Sequence, residues 1–319
     1  MRNRILITGA CGFTGRHLIA RLAIERPAAI TGLGVGNRPA PTGWTHVACD
    51  LTDEAAVDRE VAAARPEVVF HLAGAIRAAS ADAFRRINVE GFRNLCSALR
   101  RMAQRSGRPV RMVAVGSAAE IGSAGMSHPP VNEDVACVPE SDYGRSKWEA
   151  TQLALAEPPD GLLQIVVARA FNLIGPGQGD ASAPGSFARQ VLAVAAGRSA
   201  AVKCGRLDTR RDFVDVRDAA EAYLALARHG RPGQVYNVCA GRSHRIGDLL
   251  DYLIDAVGGR IPVVAESLPA RQGDVADIFG DHAKIVEQTG WQPRISIEQS
   301  LSELLGSPYV RLSSLTVAG

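Results

Sequence analysis

Tyr143 and Lys147 stand four residues apart in the run YGRSK, residues 143–147. On a helix that spacing puts both side chains on one face. An ammonium beside a phenol stabilises the phenolate and lowers the tyrosine pKa from about 10. Tyr143 then becomes usable as a proton donor or acceptor near neutral pH. Ser117 follows the apolar run Val110–Val115, and a parallel sheet exposes ligand-binding groups at such strand ends. Its hydroxyl is suited to hold a substrate carbonyl, or else to cap a turn or helix. Tyr-x-x-x-Lys alone is common; the ordered set Ser117, Tyr143, Lys147 points to catalysis at a carbonyl.

A second group of residues could hold an anion. Thr8-Gly9-Ala10-Cys11-Gly12-Phe13-Thr14-Gly15 follows the first apolar run and opens a helix-like stretch. Gly9 permits a tight turn, Gly12 permits close backbone approach, and Gly15 lets helix and strand pack closely. The helix start then offers free N–H groups and a positive dipole end to a pyrophosphate. No Asp or Glu occurs from Pro27 to Cys49, where an NAD site usually carries one; Gly36-Asn37-Arg38 stands there instead. An arginine at that place suits the 2′-phosphate of NADP. NADP(H) is therefore favoured, with NAD(H) possible. Asp50-Leu51 could meet the adenine edge, or Asp50 could close a turn.

The elements that must position these residues alternate along the first half. Strand-like runs cover Arg4–Thr8, Ile30–Val35, Thr45–Cys49, Glu67–Leu72, Val110–Val115 and Gln164–Ala168. Helix-like stretches cover Thr14–Arg26, Asp53–Ala64, Ala81–Gln104 and Tyr143–Ala156. Short, nearly continuous apolar strands alternating with helices predict an α/β fold with a doubly wound parallel sheet of Rossmann type. The second half is less regular. Helices are expected over Ser186–Ala196, from Val216 to His229 behind an Asp215 N-cap, and over Ile246–Val257. Gln234–Val238 reads as one more buried strand, and Ser296 with Gln299 as a capping box opening Ile297–Leu305.

Composition narrows the function classes. The chain has 319 residues, 46% of them hydrophobic and 22% charged, with a formal net charge of +3. Such a balance describes a globular protein and gives no argument for nucleic acid or membrane. The arginines between Arg85 and Arg111 read as the charged outer face of a helix, without the interleaved aromatics of a nucleic-acid site. Six cysteines lie at least 35 residues apart, so neither a disulfide scaffold nor a zinc site is expected. The opening MRNRILITGA does not read as a secretory signal, and a cytoplasmic location is the expectation.

Together these motifs resemble the extended short-chain dehydrogenase/reductases, the epimerases, dehydratases and reductases of nucleotide sugars. The matching segments are TGACGFTG at 8–15, HLAG at 71–74, Asn88, Ser117, YGRSK, RAFNLIGPGQ at 169–178, RRDFVDVRD at 210–218 and YNVCAG at 236–241. The resemblance implies a Rossmann domain over 1–171, with 211–240 returning to it, and a substrate domain over 172–210 and 241–319. It adds Phe13 and Ala73 to the cofactor site and has Lys147 hold the nicotinamide ribose. It also implies a sugar-nucleotide substrate whose diphosphate meets Asn172, Arg211 and Arg271. Arg189, Lys203 and Gln178 are further candidates, and a homodimer through the Ala81–Gln104 and Tyr143–Ala156 helices is expected. The 4-keto-6-deoxy sugar reductases of GDP-mannose are the most similar subgroup. Dehydratases of the family carry acids directly after the catalytic Ser or Thr; here Ala118 and Ala119 follow, with Glu120 one position further along. Ile121 stands where the family usually has Tyr. A C4 epimerase with retained NAD and an NADP-binding sensor without turnover are the alternative readings.

Overall fold

The fold is described from a computed structural model covering residues 3–27, 29–36, 43–126, 129–258, 260–265 and 276–307. Its first half alternates β1 (Arg4–Thr8), α1 (Phe13–Glu25), β2 (Ala29–Gly34), β3 (Thr45–Ala48), α2 (Glu54–Ala64) and β4 (Val68–His71). Next come α3 (Ala81–Arg85), a π-helical turn (Arg86–Glu90), α4 (Gly91–Ser106), β5 (Val110–Ser117), α5 (Asp142–Leu155) and β6 (Leu163–Ala170). The continuous stretch expected over 81–104 is thus broken by one wide turn, which carries Asn88.

The second half contains β7 (Asn172–Ile174), α6 (Ala183–Ala195), β8 (Val202–Cys204), β9 (Arg210–Asp215), α7 (Val216–His229) and β10 (Val235–Val238). It continues with β11 (Ser243–Arg245), α8 (Ile246–Ala256), β12 (Val263–Ala265), β13 (Asp277–Ile278), α9 (Ala283–Thr289) and α10 (Ile297–Gly306). Helix α6 starts three residues earlier than expected because Ser182 caps it, its Oγ accepting the Gly185 N–H at 3.2 Å. Asp215 caps α7 as expected, accepting the Arg217 N–H at 2.8 Å. At α10 only half of the box forms. Ser296 Oγ accepts the Gln299 N–H at 3.2 Å, but the Gln299 amide turns outward to Glu303.

Seven strands form a wholly parallel sheet in the order β10-β6-β5-β4-β1-β2-β3. The order runs outward in both directions from β1, so the switch point lies between β1 and β4, where open α/β sheets bind ligands. Every residue of β4 is buried, because helices cover both faces. Leu18 and Leu22 of α1 and Tyr223 and Leu226 of α7 close one face. Val57 of α2, Leu95 and Leu99 of α4, and Ala154 of α5 close the other. β7, β9, β11 and β13 form a second sheet, and β8 pairs β12. A third core packs α6, α8 and α10 around Phe213 and Val202. No described helix is long and apolar enough to cross a membrane.

Candidate active site

Ser117 ends β5 at the carboxyl edge of the sheet, and the chain turns at once through Ala118–Glu120. The first turn of α5 rests on that turn. Its N-cap is Ser141, whose Oγ accepts the Gly144 N–H at 3.0 Å. A Cβ on Gly144 would stand only 2.4 Å from the Ala119 carbonyl oxygen, so glycine is what lets α5 come this close. The contact brings the Tyr143 hydroxyl to the Ser117 side chain, near enough for Ser117 to favour the phenolate. Ser117 Oγ also accepts the Ala119 N–H at 3.2 Å. It therefore serves both as a cap and as a partner of Tyr143.

Lys147 lies one turn further along α5. Its Nζ donates to the Val115 carbonyl at 2.5 Å and would stand 4.0 Å from a Cβ on Gly74. The ammonium thus sits between the ends of β4 and β5. Burial pushes its pKa down, and the charge of Glu120 works against that. The expected lowering of Tyr143 is not found. Burial pushes the phenol above its ordinary value and the Glu120 charge adds to this, while Ser117 pulls the other way. Desolvation of the phenolate outweighs its stabilisation here.

Asn88 fixes the loop after β4 against α5. Its Oδ1 accepts the Ala75 N–H at 2.7 Å, and its Nδ2 donates to the Ala75 carbonyl at 3.1 Å and to Ser146 Oγ at 2.9 Å. A π turn at such a place is a common mark of a functional site. His71 Nδ1 meets Thr8 Oγ1 at 2.9 Å, and burial drives its pKa down to about 3. It is a neutral structural residue.

The glycine loop fits a pyrophosphate. Gly9 has φ +71°, and a Cβ there would stand 2.9 Å from the Ala73 nitrogen. A Cβ on Gly15 would stand 2.4 Å from the Gly9 carbonyl oxygen. Helix α1 has Gly12 as its N-cap, no side-chain acceptor on its first N–H groups and no acid in its first turn. That leaves a positive helix end open to an anion. Phe13 is the first residue of α1, and its ring meets His17 edge-on at 5.6 Å. The loop after β7 closes over this end: Arg16 donates to the Gly177 carbonyl at 3.1 Å, and His17 bonds the Pro176 carbonyl at 2.9 Å. Ala73 N–H donates to Thr8 Oγ1 at 3.1 Å. Asp50 closes a turn, accepting from both the N–H and the hydroxyl of Thr52 at 2.9 Å. Leu51 packs beside α2 and α4, and its carbonyl accepts Asn94 Nδ2 at 2.9 Å. Asn37 and Arg38 lie outside the described residues.

On the substrate side, Asn172 and Arg211 stand on the neighbouring strands β7 and β9. Asn172 Nδ2 donates to the Asp212 carbonyl at 2.9 Å, and Arg211 Nη1 to the Arg210 carbonyl at 2.7 Å. Arg189 and Lys203 stand on α6 and β8 instead. Arg189 faces Asp180 at 3.5 Å, and the exposed Lys203 has its backbone bridged by the Gln190 amide at 2.8 and 3.1 Å. Gln178 is buried and donates to the Leu173 carbonyl at 2.6 Å. Arg271 lies outside the described residues. Ile121 is fully buried among Val131, Phe171 and Ile278, so the position usually held by Tyr is here a core residue.

Sequence reasoning missed what Asp212 does. Its buried carboxylate accepts the N–H groups of Ala240, Gly241 and Gly280 at 2.8, 2.9 and 3.2 Å, joining β9 to the chain beyond β10 and β13. An asparagine there offers a donor where two or three donors already converge. Asp212→Asn is expected to cost about 3 kcal/mol of stability, the scale of a buried charge-assisted acceptor lost. Urea unfolding measures this, and a change under about 0.5 kcal/mol would contradict it. From the sequence Glu120 reads only as an acid one position beyond those of the dehydratases, although Ser-x-x-Glu is the pattern of a capping box. Its carboxylate is wholly buried and holds Ser117 N–H and Arg169, so it is no acid for water elimination at the substrate.

Comparison with known proteins agrees with this geometry. Residues 5–239 match the NAD dependent epimerase/dehydratase family. The chain is 33% identical over 313 residues to GDP-6-deoxy-D-mannose reductase of Pseudomonas aeruginosa, spanning 96% of this chain and 97% of that protein. It is 27% identical to UDP-glucose 4-epimerase of Yersinia pestis, over 94% and 95% of the two chains. The solved structure of RMD from Pseudomonas aeruginosa complexed with NADPH matches it with a TM-score of 0.81 at 31% identity, over 97% of this chain and 99% of that one. A parallel sheet with its switch point at β1, a glycine loop there, and Ser117, Tyr143 and Lys147 at its carboxyl edge thus accompany a match over most of the chain: the protein belongs to the NAD-dependent epimerase/dehydratase family of extended short-chain dehydrogenase/reductases.

Proposed function

We propose that the protein is an NADPH-dependent 4-ketoreductase of a nucleotide-diphosphate 4-keto-6-deoxy sugar, with GDP-4-keto-6-deoxy-D-mannose reduced to GDP-D-rhamnose. The observation that carries this reading is the Ser117–Tyr143 pair beside Lys147, in a chain similar throughout to a GDP-6-deoxy-D-mannose reductase. The cofactor choice is supported by the missing acid between Pro27 and Cys49 and by the NADPH of the Pseudomonas neighbour. Gly9, Gly12, Phe13 and Gly15 would hold the pyrophosphate, with Ala73, Asp50 and Leu51 alongside. When bound, the nicotinamide supplies the hydride.

The chain's own residues do the rest. Tyr143 donates its hydroxyl proton to the sugar O4 as charge develops there. Ser117 donates a hydrogen bond to the same oxygen and stabilises that charge. Lys147, one turn along α5 from Tyr143 and held by the Val115 carbonyl, orients the nicotinamide ribose. Asn172, Arg211 and Arg271 bind the diphosphate, where paired guanidinium bonds suit phosphate oxygens; Arg189 and Lys203 add charge. A cytoplasmic homodimer formed through α4 and α5 belongs to the same reading, and sedimentation tests it.

The test is NADPH oxidation at 340 nm with freshly made GDP-4-keto-6-deoxy-mannose, beside dTDP-4-keto-6-deoxy-glucose, with NADH as the control reductant. Oxidation with the GDP sugar is expected. Oxidation with the dTDP sugar alone would keep the chemistry and change the nucleotide. The epimerase of Yersinia pestis, 27% identical, supports a second reading as a C4 epimerase. NAD retained through purification, with no ketone reduction, would favour it.

A further inference from the structure

Glu120 closes the turn after Ser117 with an exposure of 0%. One carboxylate oxygen accepts the Ser117 N–H at 2.7 Å, and the other accepts Arg169 Nε at 3.3 Å. Arg169, on β6, is itself 2% exposed; its Nη2 reaches the Cys137 sulfur at 3.2 Å, and its Nη1 has no partner. The carboxylate lies directly over the backbone of Gly116. A Cβ there would stand 2.6 Å from Glu120 Oε1 and 3.4 Å from Thr151 Oγ1, so the Thr151 hydroxyl and the carboxylate share the space over Gly116. Thr151 is one turn beyond Lys147 and two beyond Tyr143, so the three share one stripe of α5.

A buried guanidinium needs an anion in contact with it, and breaking such a pair leaves a costly uncompensated charge. Glu120 is the carboxylate that touches Arg169. Its bond to the Ser117 amide is charge-assisted and so shorter and stronger than an ordinary cap. Neither member of the pair meets solvent, so neither touches substrate. We propose that Glu120 is a positioning residue of this site: its carboxylate, anchored by Arg169, fixes the Ser117 backbone and ties it through Thr151 to the face of α5 that carries Tyr143 and Lys147. This rests on the reading of Ser117 and Tyr143 as the groups that act on the sugar ketone.

The test compares two double variants, E120Q/R169M and E120L/R169M. Each removes the guanidinium together with the anion that touches it, and both lose the Glu120 charge that supports the buried Lys147 equally, so that loss cancels in the comparison. The glutamine keeps an acceptor for the Ser117 N–H, and the leucine does not. E120L/R169M is expected to show kcat about 30-fold below wild type, with KM and NADPH affinity within about threefold, as a displaced but intact site would. E120Q/R169M is expected to lose no more than about fivefold. Amide hydrogen exchange at residues 115–119 should quicken in the leucine variant and not in the glutamine one, at similar melting temperatures. Equal turnover and equal exchange in the two variants would overturn the proposal. So would a leucine variant whose losses follow its melting temperature alone. The exchange measurement needs no substrate and decides on Glu120 even where the wild-type protein reduces none of the sugars offered. Wild-type turnover alone decides the ketoreductase reading.

Discussion

Tyr143→Phe is expected to lower kcat for ketone reduction about a thousandfold, within the range for loss of a general acid, and to leave NADPH affinity within about threefold, because only an oxygen is removed. The phenyl ring keeps its place beside Phe84, 6.0 Å away between ring centres, and Ser117 keeps the Ala119 N–H. Stopped-flow reduction with fluorescence titration of NADPH separates the two effects. A loss of affinity equal to the loss of rate would assign Tyr143 to binding instead. The pH profile tests the same residue from another side. Burial holds the phenol above its ordinary pKa of 10, so it stays protonated across the neutral range. Reduction consumes that proton, so its rate should be flat from pH 6 to 9 and fall only above pH 10, as the donor is lost. Oxidation of the alcohol needs the phenolate and should rise with pH over the same interval. A reduction rate that peaks sharply near neutrality would name another group as the acid.

The sequence made the first half of the fold readable because each strand is short, apolar and bounded by helix-like stretches. All seven strands of the parallel sheet lie where apolar runs stand, β10 included. The second half hid its other strands for a physical reason. β7, β8, β11, β12 and β13 have three residues or fewer, too short for any periodicity to show. β9 reads Arg-Arg-Asp-Phe-Val-Asp, with charges that a surface loop would also carry. Its Asp212 is buried only because three backbone N–H groups from distant segments converge on it. The trio and the glycine loop were legible from spacing. The supporting residues were less so. Glu120 and Arg169 are 49 positions apart, and their contact follows from the register that sets Gly116 beside Arg169 on β5 and β6. The Tyr143 pKa was misjudged because i, i+4 spacing says which face a charge lies on and nothing of how deeply the phenol is buried.

Gly15→Ala is expected to cost about 3 kcal/mol of stability, as overpacking against rigid atoms does, and to weaken NADPH binding about a hundredfold, the price of moving a binding loop by 1 Å. The new methyl would stand 2.4 Å from the Gly9 carbonyl oxygen and 2.6 Å from that of Ala10. Both are backbone atoms, with no flexible end to swing aside. The Gly9 carbonyl is itself held by the Gly12 N–H at 2.9 Å, so a retreat at Gly9 carries the start of α1 with it. Gly12→Ala makes the contrast. There φ is −72°, and the methyl would meet only the Gly9 oxygen, at 3.1 Å. Its stability should stay within about 1 kcal/mol of wild type. Its NADPH affinity should still fall, since a Cβ at an open helix end narrows the approach of a phosphate to the free N–H groups. Denaturant unfolding and fluorescence titration on both variants read this pattern. Loss of stability and binding together at Gly15, and of binding alone at Gly12, would mark one glycine as serving the packing of helix on strand and the other the ligand. Full stability and affinity in Gly15→Ala would mean that the loop can yield, and that its conformation is not fixed by the contacts around Gly9.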